Sequence, residues 1–341
     1  MITVLEQNYR LPDQRKEFRP FVFATGIHNH SYSLPLERRT ADFGADSSFC
    51  RVNNKLKEHY GITLSESSIR LITLKHAENI RSVQESELGT IEGLPKKCII
   101  SETDGSMIPI VKTGDNAPGD KRKKKALFYR EARLSLAHET GTVAPVFSAT
   151  LGNVIQAGHH LAHCVKRVGI NDNTKIHCVG DGALWISDQI EEQFGTNATY
   201  LVDFYHVCEY LSAASATCSP KNEKIWIETQ KARLKENKAI KVCQELYPFI
   251  EETSIPDQEA PVRRAHRYLQ NRMHQLDYKA AIENDLPIGS GEIESAHRYV
   301  IQKRLKIAGA WWLEDNASKM LALRVNRANN DWDGYWRKSA A

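Results

Sequence analysis

The sequence predicts an α/β fold in which a mixed sheet is flanked by helices, with a helical insertion ahead of the last helices and a small helical domain in front. Three observations lead there. Residues 98–151 alternate as strands. Residues 175–218 hold two strand–helix units, each strand ending in an aspartate. Residues 220–285 are highly charged and show helical spacing with no strand pattern. The chain has 341 residues, 41% of them hydrophobic and 26% charged, ample for a buried core. That balance excludes disordered, collagen-like and coiled-coil classes.

The first region, 1–90, reads as helical: Leu36–Phe43, Ser47–Tyr60 and Ser65–Arg81. Gly61 followed by a Ser-capped start is the layout of a helix-turn-helix, and its second helix would present Ser67, Arg70, Thr73 and Lys75 to DNA. An ordinary three-helix packing unit has the same pattern. Gly89–Lys97 reads as a linker. The first part of the core, 95–219, begins with strands Cys98–Ser101 and Ser106–Lys112 around a turn at Asp104-Gly105. A basic loop, Gly119–Lys125, precedes a strand Leu127–Ala137, and Val146–Leu151 adds another. A helix Val154–Val168 follows. Strand Lys175–Gly180 leads through Asp181 into a helix Trp185–Phe194, and Thr199–Val202 leads through Asp203 into a helix His206–Cys218. Open α/β sheets carry their chemistry at such carboxyl ends.

The helical insertion, 220–285, has Trp226, Leu234, Val242 and Leu246 at helical spacing, with breaks at Pro248, Pro256 and Pro261. The last part of the core, 286–341, starts with the turn Leu286–Gly291. A long helix from Glu292 to about Gly309, a helix Leu313–Asn329 and an aromatic tail Trp332–Trp336 follow.

Asp104, Asp181 and a glutamate on the late helix are the candidate catalytic carboxylates. Three carboxylates from such distant points serve to hold two divalent metals about 3.5–4 Å apart for phosphodiester chemistry. Hard oxygen donors without sulfur favour two Mg²⁺ or Mn²⁺ ions. Taken singly, each carboxylate has a plainer use as a cap or turn residue. Zinc is the alternative metal, drawing on His159, His160, His163 and Cys164, or on His28, His30 and Cys50, but neither set has zinc-knuckle spacing. The seven cysteines form no CxxC pair and read as reduced and mainly buried.

Four motifs sharpen this: Ser101-Glu-Thr-Asp104-Gly-Ser-Met-Ile-Pro-Ile110, Val179-Gly-Asp181-Gly-Ala-Leu-Trp-Ile186, Val202-Asp203-Phe-Tyr-His206-Val-Cys-Glu-Tyr-Leu211 and Ile288-Gly-Ser-Gly-Glu-Ile-Glu294-Ser295. In this order they closely resemble the motifs of bacterial insertion-sequence transposases of the ISKra group, DDE enzymes related to the Mutator superfamily. The resemblance runs from Phe18-Arg-Pro-Phe21 to the aromatic tail. It implies an RNase H-like core and a metal-dependent polynucleotidyl transferase. Such an enzyme cleaves the ends of its mobile element and joins the 3′-hydroxyl ends to target DNA. The alternatives are an RNase H-like nuclease without strand transfer and a domesticated DNA-binding protein. The resemblance assigns Asp104, Asp181 and Glu294 as catalytic metal ligands. Glu292, two residues earlier, would project about 200° away around the helix, so the two cannot share a task, and the Gly-Ser-Gly-x-x-Glu-Ser pattern selects Glu294. Asp203 and His206 match the supporting Asp-x-x-His signature, although Asp203 also fits a helix N-cap. Arg298, one turn after Glu294, is placed to hold the phosphate of the cut strand.

The implied partners are the terminal inverted repeats and target DNA, with a homo-oligomer bringing two ends together. Relatives are longer ahead of Phe18, which predicts a reduced end-recognition module. The net charge of +4 hides a segregation: Asp172–Ser219 carries −6, whereas Gly119–Arg133 and Ala296–Ala341 carry +5 each. Basic flanks supply non-specific, salt-dependent DNA affinity. The candidate DNA contacts are Arg70, Lys75, Lys121, Arg122, Lys123, Lys124, Lys125, Lys303 and Arg304. Trp311 and Trp312 read as core residues before base-stacking ones. No apolar run spans a bilayer and Met1–Lys16 has no secretory h-region, which predicts no membrane partner and a cytosolic, nucleoid-associated protein.

Overall fold

The computed structural model describes residues 5–10, 17–25, 31–113 and 125–340. These form two units, 1–85 with 303–341, and 86–302. The described elements in chain order are β1 (Tyr9–Arg10), β2 (Glu17–Phe18), α1 (Pro20–Thr25), α2 (Leu34–Asp46), α3 (Phe49–Tyr60), α4 (Glu66–Glu87), β3 (Cys98–Thr113), β4 (Lys125–Glu139), β5 (Val146–Thr150) and α5 (Val154–Val168). Then come β6 (Lys175–Gly180), α6 (Leu184–Phe194), β7 (Ala198–Val202) and α7 (Phe204–Cys218). The insertion supplies α8 (Glu223–Lys235), α9 (Ala239–Leu246), α10 (Pro261–Asn271) and α11 (Tyr278–Glu283). The chain ends with α12 (Gly291–Ala296), a wide π-helical turn (His297–Gln302), α13 (Lys303–Leu305), α14 (Glu314–Ala328) and α15 (Trp332–Ala340). No helix among the described residues is long and apolar enough to cross a membrane.

In the first unit, α3 and α4 meet as expected. Gly61 ends α3 at φ +65°, a left-handed conformation that glycine adopts without a Cβ penalty. The Ser65 hydroxyl then accepts from Ser68 N, 3.1 Å away, which starts α4. Val52, Leu56 and Ile69 pack together, with Leu36, Phe43 and Phe49 around them. Thr73 is not presented to solvent as the spacing suggested. It is fully buried, its hydroxyl donates to Ile69 O (2.8 Å), and it lies against Gly44, where even one added carbon would be 2.4 Å away. Arg70 is exposed, while Lys75 is paired with Glu37 at 2.9 Å.

The late basic residues of this unit are partly spent on its own cohesion. Arg304 is not a surface cation: it is 2% exposed, donates to Gly44 O at 2.9 Å, and lies over the Phe49 and Trp312 rings. Trp312 is buried and donates to Leu305 O (3.1 Å), whereas Trp311 is exposed. Lys303 pairs with Asp46 at 2.9 Å, and the buried Arg324 pairs with the same carboxylate. Burial would raise the Asp46 carboxyl, but the Lys303 hydrogen bond and the Arg324 charge outweigh it and hold the group below the usual aspartate range. The folded value is therefore lower than the unfolded one. The stabilisation is complete above about pH 4 and is lost as pH falls through the folded value. We expect Asp46→Asn to cost about 1–2 kcal/mol at pH 7 and to flatten stability below pH 4, read from denaturant unfolding at both pH values.

The second unit carries a five-stranded sheet in the order β5-β4-β3-β6-β7. β3–β4 and β4–β5 are antiparallel, while β3–β6 and β6–β7 are parallel. This mixed order, with helices on the sheet, is the RNase H-like α/β fold that the motifs implied. One correction concerns its centre. The Asp104-Gly105 turn does not exist, because β3 runs unbroken through it, paired with β4 from Ile99↔Glu139 to Thr113↔Lys125. A local Asp-Gly turn preference loses to a fifteen-pair ladder. A second correction is the helix from Glu292, which ends as α-helix at Ala296 and continues as the π turn and α13, stopping at Leu305 instead of Gly309.

Apolar clusters on the sheet and around α7 hold this unit. Ile99, Ala137, Ile176 and Cys178 of the sheet pack under Leu161, Cys164 and Val165 of α5 and Ile186 and Ile190 of α6. Leu201 and Val202 of β7 join α7 and the insertion helices, with Leu211, Leu234, Val242, Leu246, Leu269 and Tyr278 buried among them. The insertion is thus packed on the core through α7. Among the described residues no three His, Cys, Asp or Glu form a group that could hold a metal ion. His160 shares a hydrogen bond of 2.6 Å with Ser148, and Cys164 is buried. His28 and His30 lie outside the described residues. All seven cysteines are free thiols, four of them buried.

Candidate active site

The parallel β3–β6 pairing, Cys98↔Lys175 to Glu102↔Val179, sets the site. Two residues further along come Asp104, inside the long β3, and Asp181, just past the carboxyl end of β6. Alternation along β3 sorts its polar residues. Ser101 and Thr103 donate to Leu136 O (2.9 Å) and Leu134 O (3.0 Å) of β4, while Glu102 and Asp104 share the other face.

That second face meets the last helix of this unit. Glu102 is 2% exposed and its Oε2 accepts from Ile293 N at 2.8 Å, tying the start of α12 to β3. Burial, and then the charges of Glu292, Asp203 and Glu294, push the Glu102 carboxyl up to about 8 despite that hydrogen bond. One turn along, His297 brings Nε2 to 3.2 Å from Asp104 Oδ2, without the alignment of a hydrogen bond. Asp104 Oδ1 accepts from Gly105 N (2.7 Å). Glu292 turns to the buried His138 of β4, 3.1 Å away. Glu294 is exposed on α12, three residues before His297 and hence on an adjoining side of the helix.

Asp203 is 3% exposed and fully engaged. Its Oδ1 accepts from Tyr205 N (2.6 Å) and His206 N (3.1 Å), capping α7. Its Oδ2 accepts from Ser290 N (2.7 Å) and Ser290 Oγ (2.6 Å). The helix-cap reading therefore holds, and the same carboxylate also anchors the turn that leads into α12. His177 donates to Pro287 O at 2.8 Å and Phe204 N to Ile288 O at 2.8 Å, closing the same turn onto the strand ends. His206 is partly exposed. It lies 3.4 Å from Glu209 and edge-on to Tyr210 and Tyr268.

Residues 160–339 match the Uncharacterised protein family (UPF0236), which is more than half of the chain. The chain belongs to that family. The UPF0236 match includes Asp181, Asp203, His206 and Glu294 and starts beyond Asp104. No curated protein matches the chain. Among solved structures, the Drosophila P element transposase strand transfer complex is similar at 9% identity and a TM-score of 0.33, over 94% of this chain and 84% of that chain.

In this UPF0236 chain, Asp104, Asp181 and Glu294 offer oxygen donors of the type that suits Mg²⁺ or Mn²⁺. They do not form a closed cage: Asp104 leans on His297, and Asp181 Oδ1 accepts from Ala183 N at 2.8 Å. Among the described residues no three such side chains are gathered. Arg298 is exposed just beyond His297, and Lys125 is exposed at the start of β4. Lys121, Arg122, Lys123 and Lys124 lie outside the described residues. Sequence reasoning missed Glu102, His138 and His297. Glu102 stands two residues before Asp104 in the same motif, and that period-2 spacing was the available signal. The two histidines meet carboxylates only through sheet pairing and helix docking, which leave no local mark.

Proposed function

We propose that the protein is a DDE-type DNA transposase of the ISKra kind, acting on double-stranded DNA as a homo-oligomer. The observation that carries this reading is the register of β3 and β6 continued to Asp104 and Asp181, with the Gly-Ser-Gly-x-x-Glu294-Ser turn tied to the same region of the sheet by Asp203 and Glu102. Asp104, Asp181 and Glu294 would hold Mg²⁺ or Mn²⁺. When bound, two such ions supply charge neutralisation and an activated oxygen for in-line phosphodiester displacement. The chain's own residues do the rest. His297 lies against Asp104 on β3, Asp203 and Glu102 fix the approach of the helix bearing Glu294, and Arg298 offers a cation for the phosphate of the cut strand.

The full chain, given a plasmid carrying the DNA that flanks its own gene and Mg²⁺, is expected to release 3′-hydroxyl ends and join them to a second plasmid. Ends that are cut and never joined would indicate a nuclease without strand transfer. DNA binding with no cutting in Mg²⁺ or Mn²⁺ would indicate a domesticated binding protein and overturn the proposal.

A further inference from the structure

We infer that Tyr268 and Arg272, contributed by the helical insertion, are positioning residues that fix the Asp181–Gly182 turn. The inference rests on the proposed role of Asp181. Tyr268 Oη donates to the Asp181 carbonyl at 2.6 Å, and Arg272 Nε donates to the Gly182 carbonyl at 2.8 Å. From the other side, Gly182 N donates to Tyr200 Oη at 3.0 Å. The two peptide groups that follow the Asp181 Cα are thereby held by side chains from β7 and α10 and from just past its end.

The fit is close. Gly182 stands at φ +82°, and an added Cβ would lie 2.6 Å from both Arg272 Nε and Tyr268 Oη. Only glycine combines that backbone with that approach. The two donors are themselves braced: the Tyr268 ring stacks on Tyr210 with centroids 4.2 Å apart and planes 17° apart, and the Arg272 guanidinium covers its face at 4.0 Å. His206 meets the Tyr268 ring edge-on at 5.9 Å, and Asp203 N donates to Gly180 O at 2.7 Å, so the Asp-x-x-His motif touches both the brace and the peptide that leads into Asp181. Burial raises the Tyr268 hydroxyl, which stays a donor at neutral pH. Packing alone would be satisfied by Phe at 268 and by an apolar chain at 272. Two donors aimed at consecutive carbonyls beside a strand-end carboxylate do more than fill space.

The test uses the full chain, nicking of a supercoiled plasmid in Mn²⁺, Mn²⁺ affinity by calorimetry, and thermal melting as a check on folding. Asp181→Asn is the reference variant. Tyr268→Phe keeps the ring and stack but loses the donor. We expect it to lower kcat about tenfold, the scale of one lost hydrogen bond to an aligned group, and to weaken Mn²⁺ binding, with DNA affinity unchanged. Arg272→Met is expected to do the same, and it carries the test if Tyr268→Phe fails to fold. If Asp181→Asn abolishes nicking while both insertion variants keep wild-type kcat and Mn²⁺ affinity, the inference is overturned and the proposed function stands. If Asp181→Asn nicks like the wild type, the proposed role of Asp181 falls, and the inference with it.

Discussion

Asp104→Asn and Asp181→Asn are each expected to lower strand cleavage by about a thousandfold or more, the scale of losing several kcal/mol of transition-state stabilisation. DNA affinity should hold, because in the proposed function the phosphate backbone is met by basic residues elsewhere. Glu294→Gln should match them. Glu292→Gln should fall well short, because Glu292 is turned to His138 of β4 at 3.1 Å, about 200° around the helix from Glu294. A cleavage assay on the four purified variants reads this directly. Full activity in Glu294→Gln with none in Glu292→Gln would reassign the third carboxylate.

The second large effect is on stability. Glu102→Ala removes a 2%-exposed side chain, leaves Ile293 N without its acceptor and opens a void between β3 and α12. A loss of about 3 kcal/mol is expected from the unpaired donor and the void together. Glu102→Gln keeps an acceptor of the same shape. Since burial and neighbouring acids push the Glu102 carboxyl up to about 8, a neutral amide resembles the form present at pH 7, and the variant should unfold within about 1 kcal/mol of the wild type. Chemical denaturation of both variants separates them. Equal losses would mean that the Ile293 hydrogen bond contributes nothing.

The strand–helix units of 175–218 were legible because each short apolar strand is followed by an aspartate and an amphipathic helix. The insertion was legible from charge and helical spacing. Asp104-Gly105 misled, since a two-residue turn preference is visible locally whereas its pairing with Leu134 and Arg133 is not. Thr73 and Arg304 misled for a related reason. Both are polar residues at helix positions that tertiary packing encloses, Thr73 against Gly44 and Arg304 against Phe49 and Trp312. At the site, the motif residues Asp104, Asp181, Asp203 and Glu294 could be named from sequence. The groups that orient them could not, because Tyr268 and Arg272 reach the Asp181 turn across 87 and 90 residues of chain, a contact made only when the insertion packs on α7.

In the proposed function Asp104 and Asp181 form one metal-holding centre with Glu294. Anomalous scattering from crystals of the full chain grown with Mn²⁺ and a short DNA duplex tests it most directly. The expected result is Mn²⁺ ligated by Asp104 and Asp181, with Glu294 drawn to the same centre and Glu292 still at His138. Mn²⁺ bound elsewhere, with Asp104 held only by His297 and Asp181 only by its own turn, would contradict it.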